Sequence, residues 1–391
     1  MATMRRAALV VLYGEVNYGN HLVNLAGRWV LERCGLSVDL IAFVGGRAEL
    51  RRAGLARLPA KLKRLVFSGE LVARLRERLH AARLPRLRHQ DREPSRILDL
   101  RRDRFRSFST QYLRPRFVAV SQRFDVSGCY DCFVVGGDQI WNYDYGLGGW
   151  QFLDFAVTGE RLALAPSVGH DRIPAEWASD YVGWLAPFAH LGVRESEWLA
   201  SLPDPAPGRA ATTLVDPTLL FDAELWSTVA RSPQESQPYL LAYELGEFSD
   251  QRRRLIAATA RASGLRVVWL SQRRSTAAWA TGPAEFLGLV RDAALVVTDS
   301  FHGSVFSFLF DRPLAIVRRD GSGARMNGRI GALVSGLALA DRIWDEQSLE
   351  SLLAHDYAQG RARLDARREE FWDYLARFGL HEVPLAGGLP Q

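Results

Sequence analysis

The stretch Ala7-Ala-Leu-Val-Val-Leu12, followed by the turn Tyr13-Gly-Glu-Val-Asn17-Tyr-Gly-Asn20, decides the fold of this sequence. A continuous apolar run of this length is typical of a strand that is buried on both faces of a parallel sheet. Apolar residues then recur at helical spacing, namely Leu22, Leu25, Ala26, Trp29 and Val30. Gly35 ends the predicted helix, and strand character resumes at Ser37–Ala42. The chain therefore opens with a βαβ unit.

Apolar runs of strand length continue to alternate with helical patterns along both halves of the chain. In the first half they lie at Cys132–Val135, Leu162–Ala165, Ala189–Val193 and Ala211–Val215. In the second half they lie at Tyr239–Tyr243, Arg266–Leu270, Leu295–Thr298 and Leu314–Val317. An amphipathic helix is predicted near the end, over Arg361–Phe378. We predict an α/β fold of two doubly wound Rossmann-like domains that face a cleft, with residues 1–215 in the first domain and 216–391 in the second.

Length and composition are those of an ordinary globular protein. The 391 residues suit two domains of moderate size, and the 48% apolar and 24% charged residues exclude a disordered chain. No apolar run approaches the roughly 20 residues that a membrane span needs. The first apolar run leads into Tyr13-Gly14-Glu15 rather than a cleavage site, so we expect a strand instead of a secretion signal, and a cytoplasmic protein.

The cysteines and histidines show no pattern typical of a metal site. Cys34, Cys129 and Cys132 are too few for a disulfide framework, which agrees with a reducing compartment. Cys129-Tyr-Asp-Cys132 has CxxC spacing, but it enters a predicted strand, and no second ligand pair follows at the spacing of a zinc site. The 8 histidines include no HxxxH pair. We expect neither a metal nor a cofactor.

Basic residues are concentrated between Arg47 and Arg116, where 21 Lys and Arg stand against 7 Asp and Glu. Leucines recur there at roughly helical spacing, so we predict helices inserted into the first domain at about residues 47–116. A basic amphipathic stretch is suited to peripheral contact with the anionic inner face of a membrane. The alternative is that the leucines pack on the first domain while the arginines face water or acidic residues elsewhere in the chain. Nucleic-acid binding is not expected, because leucine and alanine rather than aromatic residues separate the arginines.

Two loops at predicted strand ends carry polar side chains, and ligands of doubly wound folds bind beyond the carboxyl ends of the strands. The first loop contains Asn17 and Asn20 at the start of a helix, where N–H groups favour polar or anionic ligands, although a structural turn explains the same residues. The second loop is Gly136-Gly-Asp-Gln-Ile-Trp-Asn142. Its Asp138 and Gln139 are suited to hydrogen-bond sugar hydroxyls, and the alternative is a tight turn in which Asp138 caps a helix.

Two further loops carry ionisable side chains. Arg194 ends an apolar strand in Gly192-Val-Arg-Glu-Ser196 and is suited to grip a carboxylate or phosphate, or else to pair with Glu195 or another acid. His302 lies in Leu295-Val-Val-Thr-Asp-Ser-Phe-His-Gly-Ser304, between a buried strand and an apolar helix. An imidazole at that junction is suited to transfer protons near neutral pH, beside a helix N-terminus that favours an anion. A structural histidine is the alternative.

Taken together, these loops resemble the polysaccharide pyruvyl transferase family in order and spacing over nearly the whole chain. The similar segments are Asn17-Tyr-Gly-Asn20, Gly136-Gly-Asp-Gln-Ile-Trp-Asn142, Ala165-Pro-Ser-Val-Gly169, Val193-Arg-Glu195, Val215-Asp-Pro-Thr-Leu-Leu220 and Thr298-Asp-Ser-Phe-His-Gly303. The resemblance implies a fold like that of the GT-B glycosyltransferases. It also implies transfer of the enolpyruvyl group of phosphoenolpyruvate onto two sugar hydroxyls, which forms a ketal and releases phosphate. Characterised members of the family use a histidine and an arginine that correspond to His302 and Arg194.

The site implied by the resemblance has a donor side and an acceptor side, with His302 as the catalytic acid–base. Phosphoenolpyruvate carries a phosphate and a carboxylate, which suit arginines and a helix N-terminus. The residues expected to bind this donor are Arg194, Ser300, Gly303, Arg325 and Arg329. The residues expected to bind the acceptor are Asn17, Asn20, Asp138 and Gln139. Some branches of the family carry an arginine two residues before the histidine, where this chain has Ser300, so Arg325 or Arg329 is expected to supply that anion contact.

Two other functions fit parts of the sequence. A GT-B glycosyltransferase that uses a nucleotide-sugar has the same architecture, but we find no convincing ribose-binding glutamate after Gly303. A protein that binds an anionic surface or nucleic acid would use the basic segment 47–116. Under the favoured interpretation phosphoenolpyruvate is the co-substrate, and the acceptor is a sugar or glycan that is free, lipid-linked or polymeric.

Overall fold

The computed structural model describes residues 4–14, 16–45, 92–203, 211–232, 237–246, 248–271, 277–319, 327–344 and 349–383. Its strands are β1 Arg6–Val11, β2 Ser37–Val44, β3 Arg116–Ala119, β4 Cys132–Gly136, β5 Glu160–Leu164, β6 Leu191–Val193, β7 Ala211–Thr213, β8 Tyr239–Glu244, β9 Arg266–Ser271, β10 Leu295–Thr298 and β11 Leu314–Ile316. Its α-helices are α1 Tyr18–Arg33, α2 Arg92–Phe108, α3 Ala175–Leu185, α4 Ala223–Val229, α5 Asp250–Ala262, α6 Pro283–Arg291, α7 Phe301–Leu309, α8 Asn327–Gly336 and α9 Ala358–Ala376. Parallel strands alternate with helices in two main sheets, which confirms the predicted fold class of doubly wound Rossmann-like units.

The first sheet has the parallel strand order β3-β2-β1-β4-β5, and we call it with its helices the first lobe. β6 and β7 pair with each other, and a hydrogen bond from Ala165 N to Gly192 O (3.1 Å) joins β6 to the end of β5. The strand order reverses between β1 and β4, so the loops that follow these two strands diverge and leave a crevice. Those loops contain Asn17, Asn20 and Asp138.

The second sheet has the parallel strand order β11-β10-β8-β9, and we call it with its helices the second lobe. Each of its four strands begins where the sequence predicts and ends within one residue of the predicted end. Here the order reverses between β8 and β10, so a second crevice opens at their carboxyl ends. Helix α7, which carries His302, starts directly after β10 at this crevice.

The core explains why the strands could be predicted. Ala7 to Val11 in β1 are each at most 1% exposed, since helices cover both faces of the sheet. Helix α9 packs back on the first lobe, where Tyr374 Oη donates a hydrogen bond to Ala163 O at 2.9 Å. The last part of the chain therefore contacts the first sheet, and the domain boundary at residue 215 stays a prediction.

Only the end of the basic segment falls within the described residues. Helix α2 buries Phe105 and Phe108 in the core, so this part of the segment packs against protein. β3 was not predicted, because it is a short edge strand whose Phe117 is 55% exposed. Residues 46–91 lie outside the described ranges, and the helices and membrane contact expected there stay predictions.

Two further findings concern the described ranges alone. None of their helices is long and apolar enough to cross a membrane. They also contain no group of three or more His, Cys, Asp and Glu side chains that could hold a metal ion.

Cys132 begins the buried strand β4, and burial raises the pKa of its thiol to about 12.

Candidate functional site

The crevices of the two lobes face each other, and the loops behind β1 and β10 meet between them. Tyr18 Oη lies 2.7 Å from Thr281 Oγ1 of the second lobe. Gly19 lies so close to His302 that a β-carbon at residue 19 would be 2.3 Å from the imidazole Nδ1. Only glycine permits this approach, because it has no β-carbon. Two segments that are far apart in the sequence therefore form one site.

Asn17, Asn20 and Asp138 form the wall of this site in the first lobe. Asn17 caps helix α1, since its Oδ1 accepts a hydrogen bond from Asn20 N at 3.1 Å. Asn20 Nδ2 donates in turn to Asp138 Oδ2 at 2.9 Å. Gly137 and Asp138 have φ angles of +82° and +25°, which turn the chain sharply at the end of β4. In this described stretch no helix begins directly after Asp138, so the helix-cap interpretation of that residue is wrong.

Arg194 lies at the end of β6, buried between two carboxylates. Its Nη1 is 3.4 Å from Asp138 Oδ1, and its Nη2 is 2.7 Å from Asp216 Oδ2. Glu195 instead holds the loop behind β5, because its Oε1 accepts hydrogen bonds of 2.7 to 2.9 Å from Ser167 Oγ, Val168 N and Gly169 N. Arg194 is therefore paired with acids from two other segments rather than with its neighbour.

Asp216 connects Arg194 to His302, and it was not among the predicted site residues. Its Oδ1 accepts hydrogen bonds from the backbone N–H and the hydroxyl of Thr218, at 2.9 and 2.6 Å. Its Oδ2 lies 3.5 Å from His302 Nε2 as well as 2.7 Å from the guanidinium. Burial would raise the pKa of Asp216, but the charge of Arg194 and the contacts with His302 and Thr218 outweigh it and hold the pKa well below its usual range. Asp216 is therefore a persistent anion beside the imidazole.

The start of α7 carries three predicted site residues, Ser300, His302 and Gly303, and each has different surroundings. Ser300 caps the helix, because its Oγ accepts a hydrogen bond from Gly303 N at 3.2 Å. Gly303 packs against β10, since a β-carbon there would lie 2.7 Å from Thr298 Oγ1. His302 is 6% exposed and presents its ring to Gly19 and Asp216. Ser300 and His302 border the cavity described next, whereas Gly303 is a packing position.

A cavity of about 360 Å³, which we call the interlobe cavity, lies between these segments. Among the predicted site residues, it is lined by Asn17, Asp138, Gln139, Ser300 and His302. Two arginines that the sequence analysis missed, Arg101 and Arg319, also line it. Two arginines were expected to supply the anion contact for which some branches of the family have an arginine at position 300. Of these, Arg325 lies outside the described residues, and Arg329 belongs to helix α8.

Arg319 is held at the interlobe cavity by Asp299, the residue that follows β10. Its Nε donates to Asp299 Oδ2 at 2.9 Å, and its Nη2 donates to Asp299 O at 3.0 Å. The Asp299 carboxylate also accepts hydrogen bonds from Leu245 N and Gly246 N, both at 2.7 Å. This arrangement fixes a guanidinium at the crevice of the second sheet. One signal was present in the sequence, since Arg319 follows an apolar strand as Arg194 does.

Arg101 belongs to the basic segment and lines the interlobe cavity. It is 2% exposed and donates to Tyr18 Oη and to the backbone oxygens of Val16, Trp279 and Thr281. Its guanidinium carbon lies 3.9 Å from the centre of a Trp279 ring, within cation–π range. These contacts tie the loop behind β1 to the second lobe. Charge composition alone could not distinguish this arginine from the others around it.

Solved structures similar to this one include a putative epimerase, a complex with UDP and a rhamnosyltransferase. A putative UDP-N-acetylglucosamine 2-epimerase from Listeria monocytogenes has 9% identity and a TM-score of 0.43 over 97% of this chain and 92% of that one. Alr3699/HepE of Anabaena in complex with UDP has 10% identity and a TM-score of 0.42 over 96% and 99%. Spinosyn rhamnosyltransferase SpnG has 13% identity and a TM-score of 0.41 over 96% and 99%. A search of curated proteins found no significant match.

A family model gives the specific match. The model for polysaccharide pyruvyl transferase matches residues 17–321, which is well over half of the chain. The matched region begins at Asn17 and contains the connected residues Asp138, Arg194, Asp216 and His302. The chain therefore belongs to the polysaccharide pyruvyl transferase family, a family of transferases.

Proposed function

We propose that the protein transfers the enolpyruvyl group of phosphoenolpyruvate onto two hydroxyls of a sugar or glycan precursor, which forms a pyruvate ketal and releases phosphate. The observation that carries this proposal is the contact of one buried carboxylate, Asp216, with both Arg194 and His302. An anion-binding group and a proton-transfer group are thereby held within reach of one bound molecule. Membership of the family supports the class of reaction.

The interlobe cavity suits the two anionic groups of phosphoenolpyruvate. Arg101 and Arg319 line it, and Arg194 contacts its Asp138 wall. Helix α7 begins at the same cavity, and the N-terminus of a helix favours an anion through its N–H groups and its dipole. Because the arginines are already fixed by acids and backbone oxygens, little side-chain entropy remains to be lost when the donor binds.

The proposed reaction consists of an addition and a displacement. One sugar hydroxyl adds to C2 of phosphoenolpyruvate while a proton is delivered to C3, so that the methylene carbon becomes a methyl group. A second hydroxyl then displaces phosphate from C2 and closes the ketal. One hydroxyl proton is balanced by the proton gained at C3, and the other leaves with phosphate. We assign these transfers to His302, since Asp216 is held in its charged form and is suited to orient the imidazole.

The acceptor hydroxyls would approach from the first lobe. Asp138 and Gln139 line the interlobe cavity there, and Asn20 holds the Asp138 carboxylate in place. A carboxylate and an amide oxygen both accept hydrogen bonds from sugar hydroxyls. For a lipid-linked acceptor, we propose that the part of the basic segment before Arg92 contacts the anionic inner face of the membrane.

The proposed function is tested by measuring phosphate release from phosphoenolpyruvate with free, nucleotide-linked and lipid-linked sugars. Release that requires a sugar, together with a product whose mass has increased by one ketal-linked pyruvate, is the expected result. Consumption of a nucleotide-sugar without phosphoenolpyruvate would favour the glycosyltransferase alternative. A folded protein that releases no phosphate with any sugar of the panel contradicts the proposal.

Arg319→Gln is expected to weaken the binding of phosphoenolpyruvate about tenfold or more. A hydrogen bond from a charged group is worth roughly 1.5–3 kcal/mol, and glutamine keeps the polarity without the charge. Isothermal titration calorimetry measures the dissociation constant. Arg312→Gln is the matched control, because Arg312 precedes β11 and donates to Phe310 O (2.9 Å) away from the cavity. If Arg319→Gln binds phosphoenolpyruvate as tightly as Arg312→Gln does, Arg319 does not bind the donor.

A further inference from the structure

A second cavity of about 600 Å³, which we call the larger cavity, lies beside the interlobe cavity. Arg194, Asp216 and Phe301 line it, and Phe301 lines both cavities. The two cavities therefore meet at Phe301, and the larger one is also lined by Arg194 and Asp216, to which the proposed function assigns donor binding and the orientation of His302. No step described so far places a molecule in the larger cavity.

The charges that line the two cavities differ. In the larger cavity, the guanidinium groups of Arg194 and Arg367 and the imidazole of His170 stand against four carboxylates, those of Asp171, Glu195, Glu197 and Asp216. In the interlobe cavity, two arginines and His302 stand against two carboxylates. An anionic molecule is therefore disfavoured in the larger cavity relative to the interlobe cavity. Carboxylates are acceptors of hydrogen bonds, so they suit a molecule that is rich in hydroxyl groups.

The remaining walls of the larger cavity combine ring-sized apolar surfaces with fixed polar groups. Leu214, Leu219 and Leu333 supply apolar surface. The ring of His170 stacks on Tyr143, with centroids 4.5 Å apart and planes inclined by 20°. His170 Nε2 also lies 2.9 Å from an oxygen of Asp144, which fixes the ring. A sugar presents both C–H faces and hydroxyl edges, and this lining can contact both.

We propose that the larger cavity binds the uncharged sugar ring of the acceptor, with Asp171 and Glu197 accepting hydrogen bonds from its hydroxyls. The two reacting hydroxyls then extend past Phe301 towards His302, while phosphoenolpyruvate occupies the interlobe cavity. This inference rests on the proposed function and adds the substrate class of the acceptor pocket. It predicts that a neutral glycoside is a better acceptor in this pocket than the corresponding sugar phosphate.

The first test fills the larger cavity. Ala332 is an exposed residue of α8 that lines this cavity, and Ala332→Trp places an indole there. Ala258→Trp, at an exposed position of helix α5, is the matched control. Calorimetry with phosphoenolpyruvate measures the donor side. Phosphate release measures the acceptor side. The acceptors are the methyl glycosides of galactose, glucose, mannose and N-acetylglucosamine, and the 1-phosphates of the same four sugars.

We expect Ala332→Trp to raise the acceptor KM at least tenfold while the donor dissociation constant stays within about twofold of the wild-type value. Asp171→Asn and Glu197→Gln are expected to raise the acceptor KM about fivefold each, the usual effect of removing one hydrogen bond. Glu176→Gln, an exposed position of α3, should leave the acceptor KM unchanged.

Three results overturn the inference. The first is an unchanged acceptor KM in Ala332→Trp. The second is a loss of donor affinity in Ala332→Trp as large as its loss of acceptor binding. The third is a wild-type protein that binds phosphoenolpyruvate but accepts none of the neutral glycosides. A wild-type protein that does not bind phosphoenolpyruvate contradicts the proposed function itself, and with it this inference.

Discussion

Replacement of His302 by alanine is expected to reduce turnover of phosphoenolpyruvate by about two to four orders of magnitude, the usual worth of a positioned proton-transfer group. The imidazole lies between Gly19 and Asp216, and Asp216 cannot take over the proton transfer because its pKa is held below the usual range of a carboxyl group. Phosphate release under saturating donor and acceptor measures the loss. The dissociation constant of phosphoenolpyruvate, measured by calorimetry, should change much less than turnover.

Two further variants separate chemistry from packing at this position. His302→Gln keeps a hydrogen-bonding side chain of similar reach but cannot transfer protons, so it should be as slow as the alanine variant. His381→Ala changes an exposed histidine outside the site and should retain full turnover. A His302→Gln enzyme with near-wild-type turnover would rule out His302 as the acid–base.

The second large effect is expected for Arg194→Lys, which should weaken the binding of phosphoenolpyruvate by at least about tenfold. A lysine ammonium lacks the planar fork by which the guanidinium reaches Asp138 and Asp216 together. One of the two buried carboxylates then loses its contact with the cation, and the geometry at the donor site changes. Calorimetry gives the donor affinity. Arg5→Lys, in an exposed pair with Glu160, is the control.

The same position should also affect the stability of the fold. Arg194→Met removes the charge between two buried acids, and breaking a buried ion pair in this way costs about 3–5 kcal/mol of unfolding free energy. Chemical denaturation of Arg194→Met and Arg194→Lys measures this cost. If Arg194→Lys keeps both the wild-type donor affinity and the wild-type stability, the guanidinium has neither role.

Much of the fold could be predicted because its strands are buried on both faces. β10 has the predicted bounds, Leu295–Thr298, since a run of apolar residues that ends in a polar turn has few other interpretations. β3 could not be predicted, because an edge strand with exposed side chains has no distinctive pattern. The loops that carry His302 and Arg194 were found for a related reason, as both directly follow buried strands.

The sequence by itself determined the alternation of strands and helices, the loops at the strand ends and the family to which the chain belongs. These features depend on periodicity and turn chemistry over a few neighbouring residues. Only the tertiary structure decided that Arg194 pairs with Asp138 and Asp216 instead of Glu195, and that Arg319 lines the interlobe cavity. The physical reason is that a buried charge takes its partner from whichever segments the two sheets bring within a few ångströms, and spacing along the chain does not encode that distance.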